Sequence, residues 1–396
     1  MSAWLAQIVA ITALNFRTIP RRLGSSAVAV VGVAGVVIVL VAVLSIGEGF
    51  RHALEGAGSD SRALVLRNGA DSEMTSGIGG PDADVIKQAP GIRHDGSQPL
   101  AAAELFVIID VAKRSTGTTA NVPVRGVDPM SFKIRPELKI VEGQMLRFGT
   151  NEAVVGKSAS GQFQSLTVGS DVRSGELTLK VVGLFTQDGG IAESEIWTDA
   201  VTLQGVYRRG HSFQVVNAQL DSPASFDAFK AWLTTNPQLN VQVRREKEYY
   251  AGQSIALTTL VNTVGYGIAF LMALGAVFGA VLTMYTAVAT RTREIATLRA
   301  LGFNGFSVVV SVLGESLALA ALGGIIGGAG AYVGFNGYQT STMNFQTFSQ
   351  VAFSFRVSGN LLISGLTWAL AMGLIGGLFP ALRAARLPIP SALREL

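Results

Sequence analysis

Four long apolar runs constrain this sequence more than any other feature, because each is long enough to cross a lipid bilayer. Ser25–Ile46, Val264–Ala289 and Gly359–Phe379 contain no charged residue, and Phe306–Val333 contains only Glu315. A helix rises 1.5 Å per residue, so about 20 apolar residues cross the ~30 Å hydrocarbon layer. The sequence therefore predicts an α-helical membrane domain with four transmembrane helices.

The 203 residues between the first two runs, 47–249, form a water-soluble domain. They carry 45 of the 58 charged residues, which excludes them from lipid. Strands are predicted over Ala63–Arg67, Leu100–Val111, Asn121–Val127, Leu177–Leu184 and Ser212–Leu220, and helices over Asp82–Gln88, Asp199–Val206 and Ser222–Thr234. Strands that alternate with helices favour an α/β or α+β fold.

The charge distribution indicates the topology and argues against nucleic-acid binding. The net charge is +4, but residues 47–249 hold 21 basic and 24 acidic side chains, so the basic excess lies beside the apolar runs. Three arginines (Arg17, Arg21 and Arg22) precede the first run. Three more lie between the second and third runs, and three follow the fourth run. Because basic residues concentrate on the cytoplasmic side, both termini are predicted to be cytoplasmic.

A short cationic segment, Thr290–Gly302, separates the second and third runs. As a helix it places Arg291, Ile295 and Arg299 on one face, beside an apolar stripe. Such a helix can lie on the membrane surface or dock into a groove of a partner protein. Simple anchoring by positive charge accounts for the arginines but does not account for the ordered pattern R-x-R-E-I-A-x-L-R-A-L-G.

That pattern resembles the signature after the second span of MacB/FtsX-type ABC transporter permeases. Four stretches of the soluble domain also follow the order found in MacB-type periplasmic core domains: Val124–Pro129, Val141–Gly143, Glu152–Gly156 and Val181–Gly183. In that family the cationic segment is the coupling helix that docks onto an ATPase. The resemblance implies ATPase coupling for Arg291, Arg293, Glu294, Ile295, Leu298, Arg299, Leu301 and Gly302.

The resemblance also implies a type VII, mechanotransmission architecture with an α/β periplasmic domain between helices 1 and 2. That domain is a MacB-like porter (48–123 and 205–249) with an inserted β-rich subdomain (124–204). The expected order is an amphipathic cytoplasmic helix (1–24), first span (25–46), periplasmic core domain (47–249), stalk and second span (250–289), coupling helix (290–305), third span (306–335), short periplasmic loop (336–358), fourth span (359–379) and cytoplasmic tail (380–396). The stalk and second span are expected to be one helix, with a break near Gly252 or Gly265 as the alternative.

The implied function is that of a non-catalytic permease subunit in a bacterial inner membrane. A separate cytoplasmic ATPase pair would bind ATP and Mg²⁺, and no cofactor is expected on this chain. A second permease copy, identical or not, is expected, and a periplasmic adaptor and outer-membrane channel would direct efflux. Three alternatives stay open: a Lol-like lipoprotein extractor, an FtsX-like regulator of a cell-wall hydrolase, and a membrane receptor.

Few residues within the spans have polar chemistry. Glu315 is predicted either to form a structural pair with nearby arginines or to lie at the membrane interface, and we favour both over a proton relay. Gly323 and Gly327 belong to a small-residue stripe that permits close helix packing.

No catalytic or metal constellation is visible in the sequence. Gly156-Lys157-Ser158 resembles the end of a phosphate-binding loop, but Asn151 stands where that loop requires glycine, so a turn before a helix is predicted. Glu193 and Glu195 are interpreted as structural or solvated. The three histidines are scattered, and the chain has no cysteine.

Overall fold

The computed structural model describes residues 7, 12, 23–56 and 58–390. Its chain divides into two compact units. The membrane unit comprises the described residues up to 48 together with 260–336 and 356–390, and the outer unit comprises 49–259 and 337–355. The surface helix predicted over residues 1–24 lies almost entirely outside the described residues, as do the last six residues of the predicted tail.

The described elements follow one another in a single order. The helices are α1 (Leu23–Glu55), α2 (Gly80–Lys87), α3 (Pro129–Ile134), α4 (Lys157–Gln162), α5 (Ala200–Val206), α6 (Phe226–Thr235), α7 (Glu246–Ala289), α8 (Thr292–Ala300), α9 (Gly305–Phe335) and α10 (Gly359–Ala385). The strands are β1 (Arg62–Arg67), β2 (Ile78–Gly79), β3 (His94–Asp95), β4 (Gln98–Pro99), β5 (Ala101–Ala112), β6 (Thr119–Val127), β7 (Lys139–Gly143), β8 (Glu152–Gly156), β9 (Asp171–Ser174), β10 (Leu177–Thr186), β11 (Ile196–Asp199), β12 (Ser212–Phe213), β13 (Val215–Gln219), β14 (Val241–Arg245), β15 (Gln339–Met343) and β16 (Gln350–Ser354). Short 3₁₀ turns lie at Glu73–Thr75, Ile191–Ser194 and Pro223–Ser225.

Four helices of the described chain, α1, α7, α9 and α10, are long and apolar enough to cross a membrane. On α7, the side chains of Leu271, Phe278 and Leu282 are 69%, 69% and 68% exposed, which suits contact with lipid tails. The chain is therefore a multi-pass membrane protein. α7 is a single helix of 44 residues, without the break considered at Gly252 or Gly265.

Glycines permit α9 to approach α1 closely within the membrane unit. A Cβ atom at Gly327 would lie 2.7 Å from the carbonyl oxygen of Ala34 and 2.8 Å from Cβ of Val37. A Cβ atom at Gly323 would lie 2.8 Å from the carbonyl oxygen of Val30. These distances are too short for a side chain, so glycine is required at both positions.

The outer unit is built on a ten-stranded sheet of the described residues. Its order is β14–β1–β13–β5–β6–β11–β8–β10–β7, and β9 pairs with β10. β6 is parallel to β11 and β8 to β10, while the other neighbours are antiparallel. The predicted fold class, four apolar helices with an α/β domain between the first and second, is confirmed.

The two largest hydrophobic cores of the outer unit share this sheet, and they divide within β5. Residues before the division pair with β13, where Glu104 lies opposite Val215. Residues after it pair with β6, where Leu105 lies opposite Gly126. Ala103 belongs to the first core and Leu105 to the second. The long strand β5 therefore serves both cores, and the start of the inserted subdomain at residue 124 stays a prediction.

The segment predicted as a polar loop, 336–358, contains an antiparallel hairpin of β15 and β16. We call residues 337–355 the outer hairpin. It belongs to the outer unit, and Val351, Ala352 and Phe353 are buried in it. Serine, threonine and glutamine dominate its sequence, so periodicity gave no strand signal; the long-range packing that orders it is invisible locally.

Candidate functional site

α8 occupies the cationic segment that the sequence singled out. Arg291 stands at its N-cap, and Gly302, at a φ of +92°, follows its C-cap. This left-handed backbone favours glycine and ends the helix as predicted. Ile295 and Ala296 are buried. Ile295 packs in a cluster with Met284, Val288, Val308, Val312, Ala381 and Ala384.

Arg291 faces inward from this position. Its side chain is only 11% exposed, and its Nε donates a hydrogen bond of 3.0 Å to Glu294. Its Nη1 lies 3.7 Å from the carboxylate of Glu315, which is itself buried. Glu315 is therefore one partner of an ion pair with Arg291.

Arg299 also holds α8 to the membrane unit. Its Nη1 donates a hydrogen bond of 2.7 Å to the carbonyl oxygen of Leu387, after the end of α10. Leu298 is half-buried and lines a small cavity that also includes Arg291 and Glu315. The face that carries Arg291, Ile295 and Arg299 therefore attaches α8 to its own chain.

The opposite face of α8 is exposed. Arg293, Glu294 and Thr297 are exposed, and Leu301 just beyond the helix exposes 73% of its surface. Of the predicted coupling residues, Arg291, Ile295, Leu298 and Arg299 thus lie inward or half-inward, and Arg293, Glu294, Leu301 and Gly302 lie outward. A face that carries an exposed arginine and, two turns further on, an exposed leucine can bind a partner groove that has apolar and acidic walls.

A second cluster, in the outer unit, was missed by the sequence analysis. Arg125 on β6 is 2% exposed, and it makes two bonds of 2.7 Å to Glu195. It also donates to both carboxylate oxygens of Glu73, at 2.7 and 3.1 Å, and to Glu104 at 3.0 Å. One guanidinium thus connects three carboxylates from three separate parts of the chain.

Two further residues donate hydrogen bonds to Glu104. Arg135 donates to both of its oxygens at 2.7 and 3.1 Å, and Asn217 donates at 2.8 Å. Arg135 is placed by α3, whose N-cap Asp128 accepts hydrogen bonds from the first turn and whose first residue is a proline. The cap fixes where α3 starts and therefore where Arg135 follows it.

The same cluster reaches the first turn of α7. Glu246 pairs with buried Arg62 and accepts a hydrogen bond of 3.0 Å from the backbone of Ser59. Tyr249 Oη accepts a hydrogen bond of 3.0 Å from the backbone N–H of Glu73. We call Arg62, Arg125, Arg135, Glu73, Glu104, Glu137, Glu195, Glu246 and Tyr249 the buried charge network, in which half-buried Glu137 pairs with Arg62. It ties both cores of the outer unit to the start of α7.

One sequence signal could have found this network. Glu104 and Arg125 each interrupt an otherwise apolar strand, in AAAELFVII and NVPVRGV. A charge within a buried strand requires a partner of opposite charge, because burying it alone is very costly. The sequence does not say which charge pairs with which, since the partners lie far apart along the chain.

The network perturbs the pKa of its carboxyl groups in opposite directions. Burial raises the pKa of Glu104, but the guanidinium groups of Arg135 and Arg125 outweigh burial and hold that pKa at about 2. For Glu73, burial dominates and raises the pKa above its ordinary value, although Arg125 lowers it. Glu73 shares its arginine with Glu195 and Glu104, whose negative charges also raise the pKa of Glu73.

We expect the stability that ionised Glu104 contributes to be complete above pH 4.5 and to be lost as the pH falls towards 2. The folded state binds fewer protons at this carboxyl than the unfolded state, so acid favours unfolding. Glu104→Gln removes this titration. As the pH falls from about 5 to about 3, the free energy of unfolding of wild type should therefore decrease by about 2 kcal/mol more than that of the variant. Urea unfolding of the intact chain in detergent, followed by tryptophan fluorescence, measures it; parallel pH profiles would contradict the assignment.

Two family models match this chain. The MacB-like periplasmic core domain matches residues 26–236, more than half of the chain, and the FtsX-like permease C-terminal domain matches residues 266–389. The macrolide export ATP-binding/permease protein MacB of Bdellovibrio bacteriovorus is 23% identical over 416 residues, covering 96% of this chain and 61% of that protein. The ABC transporter permease YvrN of Bacillus subtilis is 32% identical over 116 residues, covering 29% of this chain and 26% of that protein.

Two solved structures are similar to about half of this chain. The extracellular domain of the ABC-type transporter YknZ from Gram-positive bacteria has 14% identity and a TM-score of 0.35, covering 46% of this chain and 99% of that one. The periplasmic region of MacB from Actinobacillus actinomycetemcomitans has 11% identity and a TM-score of 0.37, covering 49% of this chain and 92% of that one.

Proposed function

Because this chain belongs to the MacB/FtsX family of ABC transporter permeases, we propose that it couples ATP hydrolysis by a cytoplasmic ABC ATPase to movement of its outer unit. That movement would drive export of a substrate already outside the inner membrane. The ATPase would bind ATP and Mg²⁺, and this chain would contribute the docking helix and the moving domain.

One observation carries the proposal: α8 is fastened to its own chain on one face and free on the other. Ion pairing and hydrogen bonding hold Arg291 and Arg299 inward, and Ile295 is buried. Arg293 and Leu301 are exposed, and the Arg293 side chain makes no hydrogen bond or ion pair within the described residues. A helix attached in this way can pass a push or pull from a docked partner into the membrane unit, because its own anchoring does not depend on the partner.

The route from α8 to the outer unit is short in sequence. Two residues separate the end of α7 from the start of α8, and α7 itself is one helix from Glu246 to Ala289. The first turn of α7 is bonded to the outer unit through Glu246 and Tyr249. In this proposal α7 is the stalk, and a displacement of α8 moves the outer unit through a continuous hydrogen-bonded helix.

The remaining parts of the proposal concern assembly and placement. An ATPase pair needs two docking helices, so a second permease copy completes the complex. By the positive-inside rule, we propose that α8 and both termini are cytoplasmic and that the outer unit lies in the periplasm of a bacterial inner membrane. A periplasmic adaptor and an outer-membrane channel would then carry the substrate across the envelope.

The test is purification of the tagged complex from its native membrane. We expect an ABC ATPase to co-purify with wild type, and Arg293→Glu/Leu301→Asp to reduce the recovered ATPase by at least about tenfold, since truncating central interface residues costs about 2 kcal/mol or more. Arg386→Glu is the matched control: it reverses an exposed charge on the same predicted side, outside α8. Equal recovery from the double variant and wild type would exclude docking through this face.

The other proteins that co-purify distinguish between the two functions that this movement could serve. An adaptor or outer-membrane channel would support export. A cell-wall hydrolase in their place would support the regulatory function of FtsX-like proteins, in which the same movement transports nothing.

A further inference from the structure

Three consecutive residues after the Gly189–Gly190 loop are buried and polar, and each has a different partner. Glu193 is 4% exposed, Ser194 is fully buried and Glu195 is 3% exposed. Glu193 accepts hydrogen bonds from Ser158 and from the loop at Thr186–Gly189. Glu195 binds Arg125 in the buried charge network. Burying three consecutive polar side chains costs free energy unless each one is hydrogen-bonded. Their partners therefore identify the segments that this run connects.

Ser194 holds the outer hairpin. Its Oγ accepts a hydrogen bond of 2.8 Å from the backbone N–H of Ala352 and lies 3.3 Å from the carbonyl oxygen of the same residue, to which it donates. Ala352 is 3% exposed. One hydroxyl therefore satisfies both backbone polar groups of a buried residue on β16.

Two further side-chain hydrogen bonds fasten the outer hairpin within the outer unit. Asn344 Nδ2 donates a hydrogen bond of 2.7 Å to Gln253 Oε1, and both residues are at most 3% exposed. Gln253 lies on α7, in its second turn after Glu246. Asn121 Nδ2 donates a hydrogen bond of 2.8 Å to the carbonyl oxygen of Phe348 at the hairpin tip.

Both ends of this hairpin continue directly into membrane helices. α9 ends at Phe335 and α10 begins at Gly359, whereas residues 337–355 belong to the outer unit. The outer unit is thus connected to membrane helices at four places in the chain, two through α1 and α7 and two through the outer hairpin. A hairpin held only by solvated loop contacts could not carry force, but this one is bound by buried hydrogen bonds.

We propose that Ser194 positions the outer hairpin as a second mechanical connection, so that α9 and α10 as well as α7 move the outer unit. The hairpin stays bound throughout the cycle, and Ser194 passes its displacement to Glu195 and so to the buried charge network. The inference rests on the proposed function, because it concerns how the same movement is transmitted to the outer unit.

The attachment is tested first without any ATPase, on the chain in lipid nanodiscs. We expect Ser194→Ala to speed amide hydrogen exchange across residues 339–354 by at least about tenfold, because it leaves the N–H and carbonyl of Ala352 buried and unpaired. Ser158→Ala is the matched control, since it removes a hydrogen bond of 2.9 Å to the same 3₁₀ turn and leaves the hairpin contacts intact. Equal hairpin exchange in Ser194→Ala and wild type would overturn the proposal.

The coupling role is tested in the complex with its ATPase. We expect ATP with vanadate to change amide exchange in β7–β11 of wild type, and Ser194→Ala to lose at least half of that change while it retains ATPase binding. Gln253→Met, which removes the acceptor for Asn344 at similar volume, should give the same partial loss. A full response in both variants would overturn the second connection. Failure of the proposed function is distinguishable, because wild type would then recover no ATPase.

Discussion

Arg125→Met is expected to destabilise the outer unit by about 3–5 kcal/mol, the cost of breaking a buried ion pair from one side. Arg125 is 2% exposed and bonds Glu73, Glu104 and Glu195. Methionine has a similar length, so the variant loses charge and hydrogen bonds and retains much of the packing. The three carboxylates would be left with Arg135 as their remaining guanidinium partner, and that residue reaches only Glu104.

Hydrogen exchange of β5 and β6 amides in nanodiscs measures this effect as a local or global opening free energy. Arg147→Met is the matched control, because Arg147 also forms an ion pair, with Glu152, but its side chain is 74% exposed. We expect the control to leave protection nearly unchanged, since solvent screens the exposed Arg147 guanidinium and the backbone N–H of Arg147 still bonds Glu152. A cost for Arg125→Met no larger than that of the control would show that the network does not stabilise the fold.

Gly327→Leu is expected to have the second large effect, in the membrane unit. The added side chain would meet the carbonyl oxygen of Ala34 at 2.7 Å and Val37 at 2.8 Å, so α9 and α1 must separate. Overpacking of a close contact costs about 1–3 kcal/mol, and separation also forfeits the packing of neighbouring residues. The expected result is a clearly lower melting temperature with loss of folded protein on extraction.

Gly334→Leu is the control for this prediction, because it lies on the same helix and nothing is within 4 Å of the Cβ that it would add. The chain has no cysteine, so a single one introduced at fully buried Ala381 reports unfolding through its reaction with a thiol-sensitive dye. Equal melting temperatures of the two glycine variants would show that α1 and α9 can separate at little cost in stability.

The sequence predicted the membrane architecture well because the bilayer imposes a local rule. A span must be about 20 apolar residues long, wherever it lies, and every backbone polar group within it must bond internally. Residue type alone therefore located the four helices and the soluble domain between the first two. The ordered pattern in Thr290–Gly302 and four short stretches of the outer domain indicated the family, to which the chain belongs.

Sequence periodicity placed α8 but could not orient it. Arg291, Arg293 and Arg299 are chemically alike, and a cationic helix can turn any of them to a partner. Ion pairing with Glu315 turned Arg291 inward, and the carbonyl of Leu387 turned Arg299 inward, which left Arg293 exposed. The site residues that remain available to a partner were thus selected by contacts across 24 and 88 positions in the chain.

What only the tertiary structure decided is how distant polar groups pair. Arg125 bonds carboxylates 52 and 70 positions away, Arg62 pairs with Glu246 across 184 positions, and Ser194 binds the outer hairpin across 158. The burial of apolar residues can be predicted from local composition and spacing, because any apolar neighbour can pack against a buried apolar side chain. A buried charge or hydroxyl needs one partner at one distance and angle, and the folded chain alone supplies it.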